Sequence, residues 1–392
     1  MRFSWTVLFA AFLIAACETT TLALPDDGEI RASDDQVVDR QEIIVISPSW
    51  AAAKSLVRKS MPLGYRLKSE DELDGLNLVM LTMLIPKGQN GGAAIRELER
   101  LEAGLTAGVN HAYTPQSEME TSRARYASAL MDWNNLGCEA RSKVGVLDTG
   151  ADASFLAEHR VPNADFSRVQ GASEGTAHGT AILELFLSSG MLNGLTVYHA
   201  DVVSVSGALG EVASVDSMLK GLNWLIEKDV KLINISLAGP YNKILDRAFQ
   251  RAAQEGAIIV AAAGNAGPAN KVQYPAAFES TLAVTAVDAD AKVYTEAVQG
   301  KSIDFSAPGV DVFIGDGKSG QYLSGTSVAA PFVTLRIAGD PSMAQARSVA
   351  SVRGALSKDV QDLGEAGHDI TFGFGLIMAP MPCRNIETAQ HE

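Results

Sequence analysis

Leu323-Ser324-Gly325-Thr326-Ser327-Val328-Ala329-Ala330-Pro331 places a serine between Gly-Thr and a Val-Ala-Ala run. That pattern reads as a tight turn opening directly into a helix, and Gly325 permits backbone angles that other residues resist. A serine in the first turn of a helix has unpaired backbone N–H groups beside it and the positive end of the helix dipole behind it. Negative charge developing on an attacked carbonyl oxygen is stabilised in such a place. Taken alone, the serine is an ordinary helix cap. Other segments must give it a role.

Outward from that stretch, the 392 residues are 47% hydrophobic, enough for one large α/β core and a smaller unit. The formal net charge of -14 argues against nucleic acid as a partner, because phosphate binding needs a basic face. At the start, Arg2 precedes the apolar run Val7 to Ala16. The run is too short to span a bilayer and suits the core of an export signal over residues 1–16. Ile14-Ala15-Ala16-Cys17 resembles the lipobox of bacterial lipoproteins, whose cysteine becomes the lipidated first residue. The alternative is a plain secretory signal cut a little later, near Leu22-Ala23. A lipid on Cys17 would anchor the chain to a membrane of the cell envelope. Glu18 lacks the aspartate linked to inner-membrane retention, which leans toward the outer membrane. Of three cysteines, Cys138 and Cys383 then remain. Export would allow them to pair across the ends of the large domain, though sequence leaves their separation open.

Residues 17–40, with a Thr run, one Pro and several acids, read as a solvated tether. From Gln41 the pattern changes. Glu42 to Ile46 is a strand and Ser49 to Lys59 a helix; Leu76 to Leu84 is a second β stretch. Gly92 to Leu105 is a helix with apolar Ile95, Leu98 and Leu101 on one face, and Val109 to Tyr113 a closing strand. This order suits a small α/β (ferredoxin-like) domain of about 75 residues, over 41–116. Residues 117–134 form a polar linker ending in a helical piece. A large domain over 135–383 and a short tail, 384–392, complete the chain. In the large domain Lys143 to Leu147 is a nearly continuous apolar strand, as parallel sheets require. Similar strands are predicted at Thr196 to Val205, Leu232 to Ser236, Ala257 to Ala262 and Thr281 to Val287. Helices intervene at His178 to Ser188, Val212 to Lys228, Ile244 to Glu255 and Ser327 to Ile337. Such alternation means a doubly wound, mainly parallel sheet with helices on both faces, and chemistry beyond the carboxyl ends of its strands. No Cys or His cluster of metal-binding type is present, and no cofactor is implied.

Asp148 follows its strand directly and projects from the carboxyl edge of the sheet; alone it caps the turn. His178, in Ala177-His178-Gly179-Thr180, starts an apolar helix, where a surface histidine is the plain alternative. Among the six histidines, His111 in the small domain is the other one of interest. Asp148, His178 and Ser327 supply an orienting carboxylate, a base and a nucleophile. A serine hydroxyl is a poor nucleophile until a base takes its proton, and imidazole can take that proton and return it to a leaving amine. The carboxylate fixes the imidazole tautomer. Asn265, in Ala261-Ala262-Ala263-Gly264-Asn265-Ala266-Gly267, offers an amide to the developing oxyanion, though Gly-Asn is also a common turn pair.

Val146 to Gly150, His178-Gly179-Thr180, Ala262 to Asn265 and Gly325 to Pro331 together resemble the Asp, His, oxyanion-Asn and Ser signatures of the subtilisin-like serine peptidases. The chain order Asp, His, Ser is also that family's. The likeness runs from about Asn135 to Ala379, with Tyr274-Pro275-Ala276 and Phe305 to Gly309 among the supporting matches. It implies a subtilisin-like fold, and that residues 41–116 resemble the family's propeptide, occupying the cleft until a cut between about Tyr113 and Arg125. It implies protein or peptide substrates held by Ser236, Leu237, Ala238 and Gly239 on one wall and Ala262, Ala263 and Gly264 on the other. These small walls suggest an open slot for a large apolar side chain, unless Gln273 near its base narrows it. Ala181 stands where the family usually has a second histidine, and the high-affinity calcium loop looks absent, so no metal is expected at that site. Arg336 in the helix after Ser327 requires solvent or an acidic partner, so this helix is expected to be short or partly exposed. The expected activity is an exported, self-processing serine endopeptidase. The alternative is a silent subtilisin-fold lipoprotein that binds rather than cuts. An esterase is disfavoured because the elbow Gly-x-Ser-x-Gly is missing around Ser327.

Overall fold

Runs of apolar residues with no polar alternation have to be covered on both faces, and here they form a nine-stranded sheet. In spatial order its strands are Val360–Gln361, Leu376–Ile377, Phe305–Pro308, Thr281–Val287, Ile258–Ala262, Leu232–Ile235, Val144–Asp148, Val197–Asp201 and Asn163–Asp165. The pairings are parallel except at Val360–Gln361. The computed structural model describes residues 37–115, 118–120, 126–134, 138–167, 175–206, 210–315 and 320–384. The expected signal, Cys17, almost all of the tether and the tail beyond Arg384 lie outside the described residues.

Alternate residues of each strand serve opposite layers. Val144 and Val146 pack with the helices Ala177–Leu187 and Thr326–Ala338, whereas Leu147 and Ile233 pack with Val215–Glu227 and Lys243–Gln254. Gly145 lets the Val215–Glu227 helix approach, since a Cβ there would lie 2.7 Å from Leu225. Cys138 and Cys383 are joined by a disulfide that ties the two ends of this domain.

Three expectations are corrected. The helix carrying Ser327 is neither short nor exposed: all of Thr326–Ala338 is buried. Arg336, 2% exposed, is tolerated there because its guanidinium reaches Asp340 at 2.5 Å and Asp359 at 2.9 Å. Thr196 to Val205 is two strands, Val197–Asp201 in the large sheet and Val203–Ser206 in a separate hairpin with Gly210–Ser214. The following helix therefore starts at Val215, where the Ser214 side chain accepts from Ser217 N and caps it.

The small domain runs β1 (Glu42–Ser47), α1 (Trp50–Ser60), β2 (Arg66–Leu73), β3 (Leu78–Leu84), α2 (Gly91–Leu101) and β4 (Thr106–Val109). Its antiparallel sheet has the order β2-β3-β1-β4, a ferredoxin-like arrangement. β2 was not legible because RLKSEDEL is charged and largely exposed. β4 closes the sheet, whereas the predicted closing strand begins where the chain leaves it. β1 is buried on both faces. Ile43 and Val45 face the domain's own helices, and Ile44 and Ile46 join the core of the large domain.

Candidate active site

Asp148 ends its strand at the carboxyl edge of the sheet and is fully buried. Its Oδ1 accepts from Thr149 N at 2.7 Å and lies 2.5 Å from His178 Nδ1. A carboxylate only accepts, so Nδ1 is the donor of this pair, and in the neutral imidazole Nε2 then holds a lone pair. Nε2 is buried and has no hydrogen-bond partner among the described residues. An imidazole nitrogen left in this state is suited to take a proton from an approaching donor.

Ser327 lies one residue into its helix, which packs against the helix of His178. Pro331 has no N–H, so the Ser327 carbonyl lacks the partner four residues on that a regular helix would give it. The Ser236 hydroxyl donates to that carbonyl instead, at 3.1 Å, joining one wall residue to the nucleophile's backbone. Asn265 leaves the end of the Ile258–Ala262 strand, and its Oδ1 accepts from both Thr326 N (3.1 Å) and Thr326 Oγ1 (3.0 Å). The oxygen acts here as an acceptor, and the amide nitrogen is the donor of this side chain. Thr326 Oγ1 in turn accepts from Gly264 N at 3.1 Å. Thr326 was read only as a motif letter, yet it ties the amide to the helix of Ser327.

A strand leaving the small domain pairs with Leu237–Ala238, part of one predicted wall. β5 (Ala112–Pro115) runs antiparallel between Gly210–Ser214 and Leu237–Ala238, with Tyr113 opposite Ala213 and Pro115 opposite Leu237. β6 (Glu118–Glu120) then pairs with Gly320–Ser324, Glu118 lying opposite Ser324. β5 thus pairs with the strand that follows Ser236, and β6 with the strand that runs into the Ser327 helix. Tyr113 is fully buried; its ring rests where a Cβ on Gly239 would lie 2.7 Å away, and its hydroxyl donates to Pro240 O. Asn110 donates to Asp216 at 2.8 Å and accepts from Val215 N at 2.7 Å. His111 belongs to this docking and not to the Asp148 cluster, since its Nδ1 lies 3.0 Å from Asn242 Nδ2.

The two predicted walls are joined through the segment at Tyr274. Gly239 and Tyr274 exchange backbone hydrogen bonds, and Gln273 N donates to Ala263 O. The Gln273 side chain covers Gly264, where a Cβ would lie 2.2 Å from its Oε1. A carboxamide therefore lies against Gly264.

On the other side of Asp148, the neighbouring strand supplies Asp201, opposite both Asp148 and Asp165. Burial pushes Asp201 up to about 7; the charges of Asp165, Asp148 and Glu211 add to this and the Val203 amide opposes it. Among the described residues no group of three or more His, Cys, Asp or Glu is arranged to hold a metal ion.

The sequence model of the subtilase family (peptidase S8) matches residues 140–375. Subtilisin DY of Bacillus licheniformis is 33% identical over 254 residues, 61% of this chain and 89% of that protein. Subtilisin Savinase of Lederbergia lenta is 31% identical over 248 residues, 62% of this chain and 90% of that protein. The crystal structure of fervidolysin from Fervidobacterium pennivorans, a keratinolytic enzyme related to subtilisin, shares the fold with a TM-score of 0.67 at 18% identity. That likeness covers 88% of this chain and 61% of fervidolysin.

Proposed function

This chain belongs to the subtilase family of serine endopeptidases, and we propose that it is an exported, self-processing member that cuts peptide bonds with Asp148, His178 and Ser327. The observation that carries this is the 2.5 Å Asp148–His178 contact, together with a buried His178 Nε2 that has no partner among the described residues. His178 Nε2 takes the Ser327 hydroxyl proton as the oxygen attacks the substrate carbonyl. The Asn265 amide donates to the oxyanion. His178 then returns the proton to the leaving amine, and water hydrolyses the acyl-enzyme by the reverse roles. Ser236, Leu237, Ala238 and Gly239 line up the substrate strand, and Ala262, Ala263 and Gly264 face the side chain before the cut.

The small domain is the first substrate in this reading. β5 ends at Pro115, paired with Leu237–Ala238, and β6 begins at Glu118, paired with the strand that runs into the Ser327 helix. Self-cleavage thus falls between Pro115 and Glu118, near the beginning of the window read from sequence. The carboxamide of Gln273 over Gly264 favours a small or polar side chain before the cut, and not the large apolar one that the bare walls suggest. A disulfide persists in oxidising compartments, so the Cys138–Cys383 bond supports export. Lipidation of Cys17 would then hold the enzyme at a membrane of the envelope.

Pairing of β5 with Leu237–Ala238 also suits a silent protein that keeps its small domain docked. The size of the mature protein separates the two. The wild-type chain is expected to lose its small domain by a cut between Pro115 and Glu118, and Ser327→Ala to stay intact. Equal processing of both, or of neither, contradicts self-cleavage.

A further inference from the structure

His199 belongs to no motif. It lies in the strand next to that of Asp148, paired with Val146, and is 1% exposed. Its Nε2 is 2.9 Å from Thr149 O. A carbonyl only accepts, so Nε2 carries the proton. Burial pushes this imidazole's pKa down, outweighing the upward pull of Asp148 and of the Thr149 carbonyl, and it is held as a neutral donor.

Thr149 is the piece through which both halves of the Asp148–His178 pair are held. Its N–H donates to Asp148 Oδ1 at 2.7 Å, and its Oγ1 accepts from Gly179 N, the residue after His178, at 2.8 Å. Its carbonyl lies where a Cβ on Gly179 would be 2.4 Å away, so the first turn of the His178 helix rests on the Thr149–Gly150 peptide. Asp148 Oδ2 has no partner among the described residues, which leaves the carboxylate oriented through Oδ1 alone. A displacement of Thr149 would therefore disturb the carboxylate and the imidazole together. Against that displacement stands the His199 side chain, which holds the Thr149 carbonyl.

We propose that His199 is a positioning residue of the catalytic centre: its Nε2–H clamps the Thr149 carbonyl and so sets the geometry of Asp148 and His178. It touches neither substrate nor the reacting atoms. The assignment rests on the triad reading above, and its test separates the two.

The test uses the self-processed full chain as wild type, His199→Leu, which fills the volume without a donor, and His199→Gln, whose amide nitrogen reaches about as far as Nε2. Melting temperature, kcat and KM on a chromogenic peptide, and the pH profile of kcat/KM are measured for each. His199→Leu is expected to lower kcat by about 10- to 100-fold at little-changed KM, the scale of a misplaced catalytic pair. Its acid limb should move to lower pH, because a misaligned carboxylate supports the His178 imidazolium less. His199→Gln should recover most of kcat and the wild-type profile. If His199→Leu does not fold, His199→Gln decides: a folded Gln variant with near wild-type kcat supports the clamp, and one that loses kcat like a donor-less variant overturns it. A folded His199→Leu with wild-type kcat and profile overturns it as well. A folded, processed wild type that cuts no peptide overturns the triad reading and this one with it.

Discussion

Ser327 is one side chain, but on the proposed mechanism its reactivity rests on neighbours that can be removed singly. Ser327→Ala should lower kcat by about 10⁶, the usual cost of losing the nucleophile of such a unit. Asn265→Ala should cost about 10² to 10³ in kcat with little change in KM, measured on a peptide substrate. Asn265→Asp should do no better, since it keeps the acceptor for Thr326 but has no N–H for the oxyanion. Gln273→Gly uncovers Gly264 and should shift the kcat/KM ratio toward large apolar side chains before the cut by about 10- to 200-fold. An unchanged ratio would remove Gln273 from that pocket. Asp148, His178, Ser327 and Asn265 were legible because each sits in a short motif at a strand end or helix start. Thr326 and His199 were not, because their roles depend on partners 61 and 50 residues away. A histidine inside an otherwise apolar strand beside the Asp148 strand was the available signal for the second.

At the scale of elements, β5 and β6 are the segments that sequence placed least well. Val109 to Tyr113 read as the end of the small sheet, since a four-residue strand carries no mark of which sheet it will join. Its partners, Gly210–Ser214 and Leu237–Ala238, lie about a hundred residues downstream. Strands buried on both faces, such as Val144–Asp148, were placed closely, because continuous apolar runs have few other uses. The helix after Ser327 was misjudged on one residue, since the acids that pair with Arg336 come from Asp340 and Asp359. Tyr113→Ala should weaken docking of β5 by about 3–5 kcal/mol, the range for emptying an aromatic site. The expected sign is a longer half-time for loss of the precursor. Wild-type processing kinetics in that variant would show that β5 is not what presents the bond.

Over the whole molecule, two features make stability depend on solution conditions. The Cys138–Cys383 disulfide spans 245 residues of chain, and its reduction should cost about 2–4 kcal/mol, read as a lower Tm in a reducing buffer. A Tm indifferent to reductant would mean that the bond contributes nothing in solution. Asp201 should give the opposite of the usual carboxylate pH dependence. Its folded pKa is raised to about 7 and its unfolded value is near 3.9, so the folded chain holds the extra proton in between. Stability contributed by this group is therefore full at low pH and lost as pH rises toward and through 7. Asp201→Asn should flatten that slope by about 1 kcal/mol between pH 5 and pH 8, after discounting for solvent screening. An identical pH slope in the two proteins would contradict this.

The account depends most on Ser327 being activated by His178. A fluorophosphonate probe, followed by peptide mapping, reads that activation directly. The expected result is one modified residue, Ser327, in the wild-type chain after loss of its small domain, with labelling abolished in a folded His178→Ala. No modification of the processed, folded protein, or equal labelling of Ser327 without His178, would contradict it.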